Sequence, residues 1–293
     1  SAATYVNGEY WVYVYQSWWG GSLTIPVGIG VLDPETGEYE IKYSTSSIHY
    51  YNEHFIEMTY DPSTNKVYGV QYVTDLSSDG TRMMDLWVID PAEGTYEPKR
   101  LGKVDAYMFG MAARDGVVYG ITQDYTDNDL SMPEKVRLIK FDPTQSVDGI
   151  FATTHIADID GGNRVIRFDQ TMEFDHATGR LWWSAQETAN NGGYVCEIDI
   201  LDGSLRHENR IPDASQYVAM AIPYQTVATE APSYVSEFSA KADQQNTRNI
   251  MLRWTNPTQN YGCKSLTALT GVKIYRDEVE VADVATSSIG ETM

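Results

Sequence analysis

Tyr10-Trp11-Val12-Tyr13-Val14-Tyr15-Gln16, Lys66-Val67-Tyr68-Gly69-Val70-Gln71, Val117-Val118-Tyr119-Gly120-Ile121-Thr122-Gln123 and Arg180-Leu181-Trp182-Trp183-Ser184-Ala185-Gln186 are four versions of one stretch. Each is rich in the β-branched and aromatic residues that suit a pleated, half-buried surface, and each ends in glutamine. A tight turn precedes every copy: Asn7-Gly8, Asp61 to Asn65, Arg114-Asp115-Gly116 and Asp175 to Gly179. Because the four glutamines sit at equivalent positions, they read as structural hydrogen-bond partners rather than ligand contacts.

Working outward, each copy is followed after a polar loop by a third strand that ends in Asp and a second turn. These strands read Val31-Leu32-Asp33-Pro34, Val88-Ile89-Asp90-Pro91, Ile139-Lys140-Phe141-Asp142-Pro143 and Glu197-Ile198-Asp199. Asp starts such turns because its carboxylate accepts backbone N–H bonds, and Pro presets φ at the next residue. Met58, Met111, Met172 and Met220, taken as markers of first strands, fall 53, 61 and 48 residues apart. These are lengths for a four-stranded blade, so the chain is expected to be all-β, a β-propeller of about four four-stranded blades, followed by the first strands of a β-sandwich. Tyr217 to Tyr224 has the look of a fifth first strand. It implies either a ring of four closed by a terminal clasp or blades upstream of this chain.

The Asp-Pro-x-Thr-Gly turn with a following aromatic strand resembles the blades of bacterial quinoprotein-like and surface-layer-type propellers, and no recurrent Gly-His with Trp-Asp signature indicates WD repeats. After Tyr224 a polar run, Gln225 to Ser233, marks a boundary. The expected domains are therefore a propeller over 1–224, a linker over 225–233 and a partial module over 234–293. Phe238-Ser239-Ala240, Ile250 to Pro257 and Leu269 to Asp277 resemble the first three strands of the fibronectin type III modules common in secreted Bacteroidota proteins, with Trp254 as the core tryptophan. The turn after Arg276-Asp277 has Glu278 where that family has Gly. About 60 residues of a module that needs ~90 to 100 imply a fragment or a cleaved product.

Composition bounds the partners. With 21 basic and 41 acidic residues the net charge is −20, which repels phosphate backbones and excludes nucleic acid as an expected partner. No apolar run approaches the ~20 residues that span a bilayer. Cys196 and Cys263 fall in different expected domains and read as two thiols rather than a bridge. The resemblance implies an extracellular or cell-surface protein whose export signal has been removed.

Loop length chooses the functional face. In a propeller, tight turns emerge on one side and the remaining connections on the other, and here the latter are long and aromatic. The expected ligand-binding residues are Trp18, Trp19, His49, Tyr50, Tyr51, His54, Tyr107, Phe109, Tyr125, Asn163, Arg164, Arg167 and Tyr217. Aromatic rings with a polar tip suit sugar rings and peptide side chains. The expected role is binding of a glycan or protein. A propeller glycosidase or lyase, or a scaffold subunit of an envelope assembly, remain alternatives.

Chemistry is less well marked. His49, Glu53, His54 and Glu57 match no zinc spacing. Asp124, Asp127 and Asp129, or Asp158 and Asp160, offer oxygens for calcium without the EF-hand pattern, so no cofactor is expected beyond that calcium option. There is no Gly-x-Ser-x-Gly elbow, Walker loop or His-Glu-x-x-His helix. Carboxylates from different blades, among them Glu57, Asp105, Asp169 and Glu173, would serve a glycosidase if the fold brought them together.

Overall fold

The computed structural model describes residues 2–14, 27–44, 55–76, 82–123, 136–159, 170–186, 193–211, 217–224, 231–233, 235–243, 249–260, 265–276, 279–286 and 288–293. The chain separates into two compact units, 1–226 and 227–293.

The first unit is a four-bladed β-propeller. Blade 1 is an antiparallel meander of β1 (Ala2–Val6), β2 (Glu9–Val14), β3 (Gly28–Leu32) and β4 (Tyr39–Ser44). Blade 2 comprises β5 (Phe55–Asp61), β6 (Lys66–Leu76), β7 (Arg82–Ile89) and β8 (Lys99–Val104). Blade 3 begins with β9 (Met108–Arg114), β10 (Val117–Gln123) and β11 (Val136–Phe141). The chain then leaves blade 3 to add a short parallel strand, β12 (Ile150–Phe151), to the outer edge of blade 2, and returns as β13 (Thr154–Asp158) to finish blade 3. Blade 4 is β14 (Thr171–Asp175), β15 (Arg180–Gln186), β16 (Gly193–Ile198) and β17 (Leu205–Ile211).

The turns follow the chemistry read from the sequence. Asn7 and Gly8, with φ of 49° and 102°, and Asp115 and Gly116, with φ of 55° and 77°, form two-residue hairpin turns of the kind whose twist matches the strands. Asp33, Asp90, Asp142 and Asp199 each accept the backbone N–H two residues on, at 2.8 to 3.0 Å. The carboxylates of these aspartates therefore build the turns.

Hydrophobic packing fills the spaces between blades. Met58 and Tyr60 of β5 pack with Trp11, Tyr13 and Ile29 of blade 1. Met111 and Ala113 of β9 lie against Tyr68, Val70 and Leu86 of blade 2, and Met172 and Phe174 of β14 against Ile121 and Leu138 of blade 3. Repetition of methionine at one inner-strand position thus reflects three equivalent interblade slots. Room for Met172 comes from Gly110 of β9, where a Cβ would lie 3.0 Å from Met172 Cγ; likewise a Cβ on Gly120 would lie 2.5 Å from Met108 Sδ. Gly102 is small for a different reason, because a Cβ there would lie 2.3 Å from the Gly149 carbonyl beside β12.

Tyr217 to Tyr224 occupies the fifth first-strand position in part. It forms no strand, yet the Met220 N–H donates to Thr171 Oγ1 at 3.1 Å, as Tyr60 N–H does to Thr4 (3.0 Å) and Ala113 N–H to Thr59 (2.9 Å). Its Tyr224 ring meets Tyr5 of blade 1 edge-on at 5.4 Å. The segment therefore links blade 4 to blade 1.

In the second unit, β18 (Ser236–Ala242) pairs with β19 (Ile250–Thr255), and β20 (Val272–Arg276) with β21 (Val279–Val284). Trp254 is buried, exchanges backbone hydrogen bonds with Met293 and donates its indole N–H to Asn256 at 2.9 Å. Phe238, Ile250, Met251, Tyr275, Val279 and Val281 are exposed.

Candidate functional site

The repeat brings inner-strand residues from different blades to one axis. Thr4 of β1 donates its hydroxyl to Glu173 Oε2 at 2.9 Å, and Thr59 of β5 donates to Glu173 Oε1 at 3.4 Å. These three residues pair with Trp11, Tyr68 and Trp182 at the same register of their blades. Two residues earlier along β5, Glu57 accepts the Met58 N–H at 3.1 Å and, from blade 4, the Met172 N–H at 3.2 Å. The Thr171 hydroxyl bonds to it as well.

Glu57 and Glu173 are fully buried, and desolvation pushes both carboxyls well above the usual carboxylate range, with the charge of Glu173 raising Glu57 further. Neither meets a cation at ion-pairing distance among the described residues except His176, whose Nε2 lies 4.0 Å from Glu173 Oε1. Burial holds that imidazole down, to about 4, so it is neutral at pH 7. The axis is thus a buried polar core in which the charged form of both carboxyls is disfavoured. His176 Nε2 is buried and has no hydrogen-bond partner among the described residues, and the Tyr224 hydroxyl lies against that of Tyr60.

The connections divide by face. On one side lie the four hairpin turns between first and second strands and the Asp-started turns beyond the third strands. At the other end of the strands, β2, β4, β6, β10, β15 and β17 each run up to residues outside the described ones, while β8 is followed by the described residues 105–107. The described part of this second face carries an aromatic ladder. Tyr72 meets Tyr107 edge-on at 5.7 Å, and Tyr107 meets Phe109 edge-on at 5.0 Å. Arg82 lies 5.7 Å from the Tyr72 ring centre and hydrogen-bonds its hydroxyl.

Of the residues expected to bind ligand, Trp18, Trp19, His49, Tyr50, Tyr51, His54, Tyr125, Asn163, Arg164 and Arg167 lie outside the described residues. Tyr107 is half-buried and Tyr217 is 51 % exposed. Phe109 is buried in the packing between blades 3 and 4, so its ring is committed to the core. Glu53, Asp124, Asp127, Asp129, Asp160 and Asp169 also lie outside the described residues, as do Gln16 and the side chains of Gln123 and Gln186. Among the described residues no three His, Cys, Asp or Glu side chains form a metal site, and Asp158 is occupied by His155 at 3.1 Å. Asp105 accepts the Thr153 N–H at 2.8 Å. Sequence reasoning named Glu57 and Glu173 as interblade carboxylates. It missed Thr4 and Thr59, whose only signal is a hydroxyl in the first strand of a repeat.

No protein-family model matches the sequence, and no curated protein matches it. Among solved structures, the chain is similar to a Bacteroides thetaiotaomicron protein of unknown function at 12 % identity and a TM-score of 0.42, over 70 % of this chain and 42 % of that one. A quinoprotein alcohol dehydrogenase-like protein of the same organism gives 14 % identity and 0.36, over 99 % and 66 %. A family 43 arabinoxylan arabinofuranohydrolase of Bacillus subtilis gives 12 % and 0.39, over 86 % and 58 %. The chain spans between about two fifths and two thirds of these proteins' lengths. The assignment to the propeller class rests on the strand pairing of the chain itself.

Proposed function

We propose that this propeller is a ligand-binding module of an extracellular or cell-surface protein, recognising a glycan or protein on its long-loop face. What supports this reading is the division of connections: the described Asp- and Gly-built turns join the strands at one end, and the long, chemically varied stretches of sequence follow the opposite strand ends. Tyr72, Tyr107 and Arg82 supply amphipathic rings and a guanidinium at that rim. The second unit, with its resemblance to fibronectin type III modules, fits a secreted multidomain protein or a part of an envelope assembly.

The glycosidase alternative needs a carboxyl pair that reaches substrate. Glu57 and Glu173 converge across the axis, yet they are buried and spend their acceptor sites on backbone N–H groups and threonine hydroxyls. They support the ring and are not presented to a ligand, which favours binding over turnover. Glycan-array and surface-capture measurements test the proposal. Binding that is lost in Trp18→Ala with Trp19→Ala and weakened in Tyr217→Ala is the expected result. Polysaccharide turnover that is lost in Asp105→Asn or Asp169→Asn would overturn it.

A further inference from the structure

The turn face, which the sequence marks as structural, holds a cleft of about 240 Å³ between blades 1 and 2. Its walls include Val6, Glu9 and Trp11 of blade 1 and Pro91 and Tyr96 of blade 2. Trp11 and Tyr96 pack ring to ring, 4.4 Å apart and tilted by 38°. Both aim their polar atom at the same oxygen: Trp11 Nε1 donates to Glu9 Oε2 at 3.0 Å, and the Tyr96 hydroxyl donates to it at 3.2 Å. Those two bonds fill Oε2 and fix the carboxylate. Oε1 is left with no partner among the described residues, and none of the described basic side chains pairs with Glu9.

An exposed carboxylate held in place by aromatic donors, with one oxygen open, is a preorganised acceptor for a positive charge. A guanidinium fork needs both oxygens, and Oε2 is already saturated; an ammonium needs one. The half-buried Pro91 offers apolar cover for an aliphatic stem, and the half-buried Tyr96, packed on the buried Trp11, brings a π-system close to the charge. Glu40 adds negative potential at Tyr96, whose hydroxyl pKa it helps to raise, and the chain's charge of −20 draws cations to the surface. We propose that this cleft is a second binding site, separate from the long-loop face, and that it takes the alkylammonium group of a lysine side chain from a basic partner segment.

The test titrates the full chain with N-acetyl-lysine-N-methylamide, n-butylammonium and n-butanol, following the Trp11 indole N–H signal by NMR. Saturable shifts with the lysine derivative, weaker ones with butylammonium and none with butanol are expected. Glu9→Gln, an exposed isosteric change, should weaken lysine binding roughly tenfold or more, the loss expected for one charged hydrogen bond. Glu35→Gln, an exposed carboxylate on the next turn that does not line the cleft, should leave it within about twofold. Tyr96→Phe, which frees the carboxylate, should fall between them. Equal shifts with butanol would reduce the cleft to an apolar crevice. Unchanged binding by Glu9→Gln, or equal losses in both glutamate variants, would place the lysine on diffuse surface charge, and either result overturns the proposal.

Discussion

Replacing Glu173 by Gln should make the propeller more stable above pH 6.5 and weaken the pH dependence of that stability. In the unfolded chain both axial carboxyls ionise near 4.5, whereas burial in the native state holds their protons well above that value. The native state then binds more protons than the unfolded state, so stability is fully present below about 4.5 and falls as pH rises towards the native pKa values. Each such carboxyl can contribute at most about 1.4 kcal/mol per pH unit, and only while the pH lies between its unfolded and native pKa values. His176 acts in the opposite direction, because its native pKa of about 4 lies below the ordinary 6.5. Its contribution is fully present above 6.5 and lost as pH falls towards 4, so above pH 6.5 it no longer opposes the carboxyls. Glutamine keeps an oxygen for the Thr4 hydroxyl and cannot ionise. The measurement is urea unfolding from about pH 6.5 to 8 by tryptophan fluorescence, in a Trp254→Phe background so that the signal comes from the propeller. A shallower fall of stability with pH in Glu173→Gln, by up to about 1.4 kcal/mol per pH unit, is expected. Parallel lines for the two proteins would mean that Glu173 does not hold its proton in the folded ring, and the reasoning about the axis would be wrong.

Other changes probe neighbouring parts of the fold. Thr59→Val removes the acceptor of the Ala113 N–H and a donor to Glu173, and should cost about 1 to 3 kcal/mol in urea unfolding, with Thr59→Ser restoring most of it. Gly102→Ala drives a methyl into the Gly149 carbonyl and should speed amide exchange at Lys103, which bonds to that carbonyl, while leaving β14 protected. Trp183→Ala empties a fully buried site between blades 3 and 4 and should cost about 3 to 5 kcal/mol by thermal unfolding.

The blades were legible because their signals are local. Alternation over six or seven residues, an Asp that caps its own turn and a methionine at a fixed offset can all be read within one repeat. The axis was not legible in the same way. Thr4 and Glu173 are 169 residues apart, and a threonine in an apolar strand is ordinary β-propensity until the ring brings it beside a carboxyl. Glu57 and Glu173 stood out as carboxylates on inner strands, but sequence carries no measure of burial, so a structural lock and a catalytic pair read alike. The cleft at Glu9 was hidden for a related reason: Trp11 and Tyr96 belong to different blades, and the Asn7-Gly8 turn beside them reads only as a hairpin. Nor does any periodicity announce β12, which is two residues long and pairs outside its own blade.

That excursion of β12 has a consequence for how the chain can be assembled and altered. Blade 2 lacks its outermost strand until residues 150 and 151 have been made, which is after most of blade 3. Blades 2 and 3 are therefore interleaved in time as well as in space. A protein that grew by adding or losing whole blades could not do so cleanly at this junction, whereas the boundary between blades 3 and 4 is not crossed by any such described strand. Insertions, splits and permutations aimed at this molecule belong at that later boundary.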